Sequence, residues 1–284
     1  MPNECTDLYH RLQLRRNPDG TFTRKHDVFP RTPPSSDPSL PIPVLTKDIT
    51  INQQNNTWLR LFLPRVALSS SNPNPKKLPL ILFFHGSGFV ILSAATTLFH
   101  DFCVEMANTA EAIVASVDYR LAPEHRLPAA YDDAVEALRW IGKSEDEWLR
   151  HYADYSMCYV MGSSAGATIA YHAEERVELK EDEEKMGDIK RKIDISKLNI
   201  RGLSLALPIG ADRDHEYCNV RAGNGVEKMR KIREVGWRVL MSGTGGDILE
   251  DREKELAQLM EEEGVQVVKD FHGIELIDIK EDNR

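Results

Sequence analysis

The hydrophobic pattern changes texture at residue 78. Before it, VLTKDITIN (44–52) and TWLRLFLP (57–64) alternate apolar and polar positions about the polar tetrad Gln53, Gln54, Asn55 and Asn56. A period of two marks a strand with one buried face, so the pair predicts a β-hairpin at a sheet edge. From residue 78 the apolar runs become short and continuous: LPLILFF (78–84), AIVASVDY (112–119), CYVMGS (158–163), IRGLSLAL (200–207), WRVLMSG (237–243) and VQVVKDF (265–271). Between them lie helical patterns such as Ala129 to Ile141 and Asp251 to Glu263. Strands buried on both faces and separated by helices predict an α/β layer architecture with a mostly parallel sheet.

Two stretches stand outside that alternation. Phe29 to Pro43 (FPRTPPSSDPSLPIP) is too rich in proline for helix and reads as a connector after a polar lead. Ala173 to Lys197 alternates charge sign at helical spacing and reads as a solvated helix end and loop. No 20–50-residue period recurs, which excludes solenoids and propellers. One domain over 1–284 is expected, with 1–43 as lead and connector.

Charge and cysteine narrow the function classes. Lys plus Arg is 36 against 45 for Asp plus Glu, a net charge of −9 with a pI near 5.5. A nucleic-acid surface needs an excess of positive charge, so nucleic acid is excluded as the main partner. The cysteines, at 5, 103, 158 and 218, form no C-x-x-C pair, and no cluster has metal-ligand spacing. The N-terminus MPNECTDLYHRLQLRR carries no apolar signal core, and the longest apolar run, Leu78 to Phe84, is too short for a membrane span. The expectation is a soluble protein of a reducing compartment, the cytoplasm first and the nucleus second, with no metal and no cofactor.

Candidate chemistry begins at Gly162-Ser163-Ser164-Ala165-Gly166, a G-x-S-x-G match. Three fixed positions of this kind arise by chance in roughly one chain in ten of this length, given Gly and Ser near 7% each. Context strengthens the match. The strand CYVM leads in and the helix former AGATIAYHAEE leads out, so Ser164 sits on a sharp strand-to-helix turn that lifts its hydroxyl clear of the backbone. A serine hydroxyl alone is a poor nucleophile and needs a base and an orienting acid, expected in the chain order Ser, Asp or Glu, His. Asp247 follows the strand WRVLMSG, and His272, 25 residues further on, follows VQVVKDF. Asp251 is the rival acid but stands where a helix-capping carboxylate would. His215 is the rival base but precedes Asp247 and breaks the order. His85-Gly86-Ser87-Gly88-Phe89, directly after LPLILFF, supplies small residues whose backbone N–H groups can approach a substrate oxygen.

HGSGF, DYRLAPEHRLPAAYDDA (118–134), GSSAGA, GADRDHEYCN (210–219) and GWRVLMSGTGGDILEDR (236–252) together resemble the plant carboxylesterases of the hormone-sensitive-lipase branch of α/β hydrolases. The resemblance runs over most of residues 5–280. It implies an α/β-hydrolase fold, Ser164 as nucleophile, Asp247 as acid, His272 as base, and an oxyanion hole from Gly86, Ser87 and the N–H of Ala165. It further implies a small-molecule ester as substrate, and Arg120 and Glu124 as structural braces of the sheet edge. Departures from the family are visible. HGSG replaces the usual HGGG, the helical cap segment after IRGLSLAL is reduced, and VQVVKDF runs straight into His272 without a glycine-rich lead. By the same comparison, the family's closing C-terminal helix is expected to be absent. Two other functions share this fold: a gibberellin-receptor-like binding protein and a lyase or dehydratase of specialised metabolites. Such receptors carry an apolar residue at the histidine position, and His272 is retained here, which favours the enzyme.

Overall fold

The computed structural model describes residues 14–24, 29–68, 77–179, 199–201, 225–234, 236–242 and 250–270. The polar lead holds a two-stranded antiparallel ribbon, β1 (Leu14–Arg16) and β2 (Phe22–Arg24), which the hydrophobic pattern does not announce. Its signal is the turn Asn17-Pro18-Asp19-Gly20, residue types that favour tight reversals. Gly20 takes φ +84°, and the Asp19 carboxylate accepts from the Thr21 hydroxyl at 2.6 Å and from its N–H at 2.9 Å. Those bonds, the hydroxyl's first, hold Asp19 below the usual carboxylate range.

The expected hairpin forms as β3 (Val44–Asn52) and β4 (Thr57–Pro64). It joins β5 (Leu78–Phe84), β6 (Ile113–Asp118), β7 (Ala153–Gly162), β8 (Asn199–Arg201), β9 (Arg238–Ser242) and β10 (Gln266–Asp270) in one eight-stranded sheet. The order is β10-β9-β8-β7-β5-β6-β4-β3, with β3 at the edge. Only the β3–β4 and β4–β6 pairings are antiparallel; the others are parallel. The strand expected over 200–207 is described as Asn199–Arg201, and the rest of IRGLSLAL lies outside the described residues.

Helices cover both faces. On one, α2 (Ala129–Lys143), α4 (Ala165–Leu179), α5 (Gly225–Glu234) and α6 (Glu250–Glu262) build the larger core with Leu59, Leu61, Leu80, Leu82, Phe84 and Val117. A short α3 (Glu147–Tyr152) precedes β7. On the other, α1 (Thr97–Thr109) packs Phe99, Cys103, Met106 and Ala107, at helical spacing, on Phe62, Ile81, Phe83 and Val114.

Arg60 interrupts that apolar face. Only 1% exposed, it meets Asp48 across the β3–β4 register, with Nε at 2.6 Å and Nη2 at 2.8 Å from the two carboxylate oxygens. Its Nη1 donates to the Thr32 carbonyl at 2.6 Å and to His100 Nδ1 at 3.1 Å. The proline-rich connector is held by this guanidinium, and Arg65 grips the same connector at the carbonyls of Pro38, Leu40 and Ile42.

Candidate active site

Parallel register decides where the motifs meet. Phe84, the last residue of β5, pairs with Val117 of β6 and Gly162 of β7. The segments that follow, beginning at His85, Asp118 and Ser163, therefore leave three adjacent strands at one edge. Open α/β sheets present their chemistry at the carboxyl ends of such strands.

The turn from β7 into α4 is the strand-to-helix elbow expected from sequence. Ser164 sits at φ +51°, a left-handed conformation that costs an L residue on the order of 1–2 kcal/mol. The Ser163 N–H donates to the Phe84 carbonyl at 3.1 Å, while the Ser164 carbonyl already accepts from Ala167 N–H at 2.9 Å. The elbow is thereby clamped between β5 and its own helix. A Cβ on Gly166 would overlap the carbonyl oxygen of Phe84, so the second glycine of the motif is where helix and strand touch. Ser164 is half-buried, and its hydroxyl makes no hydrogen bond to another described residue. Ala165 is the first residue of α4, where an N–H has no partner within the helix and carries the positive end of the helix dipole.

The loop after β5 presses on this elbow. A Cβ placed on Gly86 would stand 3.3 Å from Ser164 Cβ and 2.9 Å from the Ser163 carbonyl oxygen. Three successive residues take positive φ: Ser87 at +116°, Gly88 at +63° and Phe89 at +65°. Ser87, the departure from HGGG, gives its hydroxyl to the Ile91 carbonyl. Phe89 is buried edge-on against Tyr131 of α2, ring centroids 6.2 Å apart, and its carbonyl accepts from Ala122 N–H at 2.8 Å.

The DYRLAPEH segment braces this edge as expected. Arg120 chelates the buried Asp133 of α2, Nη2 and Nε at 2.6 and 2.9 Å from Oδ1. The carboxylate in turn raises the guanidinium pKa above its ordinary value. Glu124 takes Arg24 Nη2 at 2.6 Å, and the same nitrogen donates to the Ala122 carbonyl at 2.7 Å, which ties the N-terminal ribbon to the turn. Sequence reasoning passed over Tyr119. Its signal is a phenol placed directly after a strand buried on both faces.

Of the predicted site residues, the structure brings together Gly86, Ser87, Ser164 and Ala165. Asp247, His272 and the rival His215 lie outside the described residues. The rival acid Asp251 lies in the first turn of α6. Among the described residues, no group of three His, Cys, Asp or Glu side chains could hold a metal ion, and no helix is long and apolar enough to cross a membrane.

A sheet of this order with a strained serine at its central elbow defines an α/β hydrolase. A family model described as alpha/beta hydrolase fold matches residues 81–196. A solved esterase of Pyrobaculum calidifontis superposes with a TM-score of 0.56 over 84% of this chain and 78% of its own, at 23% identity. Carboxylesterase 20 of Arabidopsis thaliana is 40% identical over 98% of this chain and 93% of its own length. That alignment spans 316 positions, more than the 284 residues here, so the relative carries residues without a counterpart in this chain. A 3-O-acetylpapaveroxine carboxylesterase of Papaver somniferum is 39% identical over 96% of this chain and 95% of its own. The chain belongs to the plant carboxylesterase family, in the hormone-sensitive-lipase-like branch of the α/β hydrolases.

Proposed function

We propose that this enzyme hydrolyses carboxylic esters of small molecules by acyl transfer through Ser164. In this reading Ser164 Oγ attacks the ester carbonyl, His272 takes its proton and passes it to the leaving alcohol, and Asp247 orients the imidazole. Backbone N–H groups of Gly86, Ser87 and Ala165 receive the oxyanion. Water, activated by the same histidine, then releases the acid from the acyl-enzyme.

One observation carries the reading: a serine held at φ +51° at the head of a helix, with the Gly86 loop pressed against it. Sequence segments nearly 80 residues apart thus supply a nucleophile and donors within one small volume. Support for Asp247 and His272 is topological. β9 and β10 run parallel to β5 and β7, so the chain leaves them at the Ser164 edge, five residues before Asp247 and two before His272. Short acyl groups are the substrates to test first, since the Papaver relative is named for an O-acetyl ester.

The test is hydrolysis of p-nitrophenyl acetate by the purified protein, with stoichiometric labelling by a fluorophosphonate. Activity should rise with pH through about 6.5, the ordinary histidine value, as the base loses its proton. His272→Ala should remove that activity and His215→Ala should leave the profile in place. The reverse pattern would make His215 the base.

A further inference from the structure

Backbone N–H groups hold an oxyanion only as firmly as their own peptide planes are held, and each plane carries a carbonyl on its other side. The N–H of Gly86 belongs to the peptide whose carbonyl is that of His85. The N–H of Ser87 belongs to the peptide whose carbonyl is that of Gly86. Both carbonyls are engaged by buried side chains. The Tyr119 hydroxyl donates to the His85 carbonyl at 2.7 Å. His85 Nδ1 stands 2.9 Å from the Gly86 carbonyl oxygen, which can only accept, so Nδ1 bears the ring proton.

The two rings support each other. They stack with centroids 4.4 Å apart and 15° between planes, His85 fully buried and Tyr119 only 3% exposed. Among the described residues His85 Nε2 has no hydrogen-bond partner; Oδ1 of Asp118 stands 3.9 Å away and accepts instead from Ala94 N–H at 2.8 Å. Burial lowers the imidazole pKa against the opposing pull of Asp118, which keeps the ring neutral with its single proton at Nδ1. Burial also pushes the Tyr119 phenol well above its ordinary value, so it remains a donor at every working pH.

We propose that Tyr119 and His85 are positioning residues of the oxyanion hole, each donating to the carbonyl of one of the two peptides whose N–H groups, those of Gly86 and Ser87, receive the oxyanion. The inference rests on the ester-hydrolase reading above. Each bond does two things. It fixes the rotation of the peptide plane, so the N–H already faces the position the oxyanion will occupy before substrate arrives. It also draws electron density across the amide, which makes the opposite N–H a stronger donor, by about 10–30% for each linked bond. Tyr119 directly follows β6, so the neighbouring strand sets the aim of donors that follow β5.

Tyr119→Phe removes one of these bonds and keeps the stacked ring. Wild type and variant are compared with p-nitrophenyl acetate and with a trifluoromethyl ketone, whose adduct on Ser164 puts a negative oxygen in the same hole. The concentration of folded enzyme is fixed by fluorophosphonate titration carried to completion. Expected is a fall in kcat on the order of tenfold, less than the 10²–10³ lost when an oxyanion donor itself is removed. KM should stay within about twofold, and ketone affinity should fall by the same factor as kcat/KM. Unchanged kcat and ketone affinity would overturn the inference. So would a loss explained wholly by fewer titratable sites or by a rise in KM alone. A wild type that neither turns over the ester nor takes up the fluorophosphonate would sink the ester-hydrolase reading itself, an outcome separate from any difference between the two proteins.

Discussion

Two serines stand at positive φ on the ends of neighbouring strands, Ser164 after β7 and Ser87 after β5. Both carry backbone strain, and they differ in what the side chain does with it. Ser87 spends its hydroxyl on the Ile91 carbonyl, within its own loop. The Ser164 hydroxyl makes no bond to any described residue, and the surrounding backbone, not the side chain, holds the turn. Backbone strain alone thus does not set Ser164 apart from Ser87. What sets it apart is that its strain is borne by groups other than the hydroxyl.

Four changes would break or sharpen that contrast. Ser164→Ala should cost on the order of 10⁶ in kcat, about 8 kcal/mol of transition-state stabilisation, as for a triad serine. Its melting temperature should barely move, because the hydroxyl bonds to none of the described residues. A residual rate above a hundredth of the parent on p-nitrophenyl acetate would remove Ser164 from the nucleophile's role. Gly166→Ala comes next. Its Cβ would overlap the Phe84 carbonyl, and a clash with backbone in the core should cost more than about 4 kcal/mol. Little soluble folded protein is the expected yield, and a near-normal thermal melt would show that the clamp between β5 and α4 is slack.

Acid should act next in size. Burial lowers the pKa of both His85 and His100, with Arg60 adding to the effect at His100. The folded chain therefore refuses protons that the unfolded chain accepts once pH falls below about 6.5. Stability is complete above that value and is lost as pH drops beneath it, by up to about 1.4 kcal/mol per pH unit for each imidazole. Urea melts between pH 7 and 5 would show the slope. His100→Gln, which can still accept from Arg60, should make it shallower; an unchanged slope would exonerate His100. Ser87→Gly should have the smallest effect. Glycine removes a strain on the order of 1–3 kcal/mol and forfeits a hydrogen bond of about 1 kcal/mol. The net change should stay within about 1–2 kcal/mol with kcat altered only a few-fold. A collapse in stability would mean that the hydroxyl, not the backbone, holds the loop after β5.

The parts of the site that were legible in sequence are the parts specified locally. LPLILFF became β5 residue for residue, because a continuous apolar run ended by His-Gly leaves no other boundary. The elbow was legible for a similar reason: strand, small residues and helix former follow one another without a gap. What could not be read was anything set by a distant partner. Arg60 shares its face of TWLRLFLP with Trp58 and Phe62, and it is the connector and α1 that bury its charge there. β7 begins at Ala153, earlier than its apolar core, because Ala153 and Asp154 pair with Leu78 and Pro79 ahead of a register shift. The role inferred for Tyr119 also comes from a different strand, and no spacing within DYRLAPEH encodes it.

The connector itself carries one more implication. Residues 29–43 contain no helix, and six of them are proline, yet Thr32 N–H donates to the Ala95 carbonyl and its own carbonyl is taken by Arg60. The Ser35 carbonyl accepts from Thr46, and the Ser35 N–H donates to the Thr46 hydroxyl at 2.8 Å. Amide protons so engaged are released to solvent only when the edge of the sheet opens. Hydrogen exchange at Thr32 and Ser35 should therefore follow the slow clock of β3 and β4 rather than the fast one of an exposed loop. By that measure a segment without regular structure belongs to the same cooperative unit as the strands it lies upon.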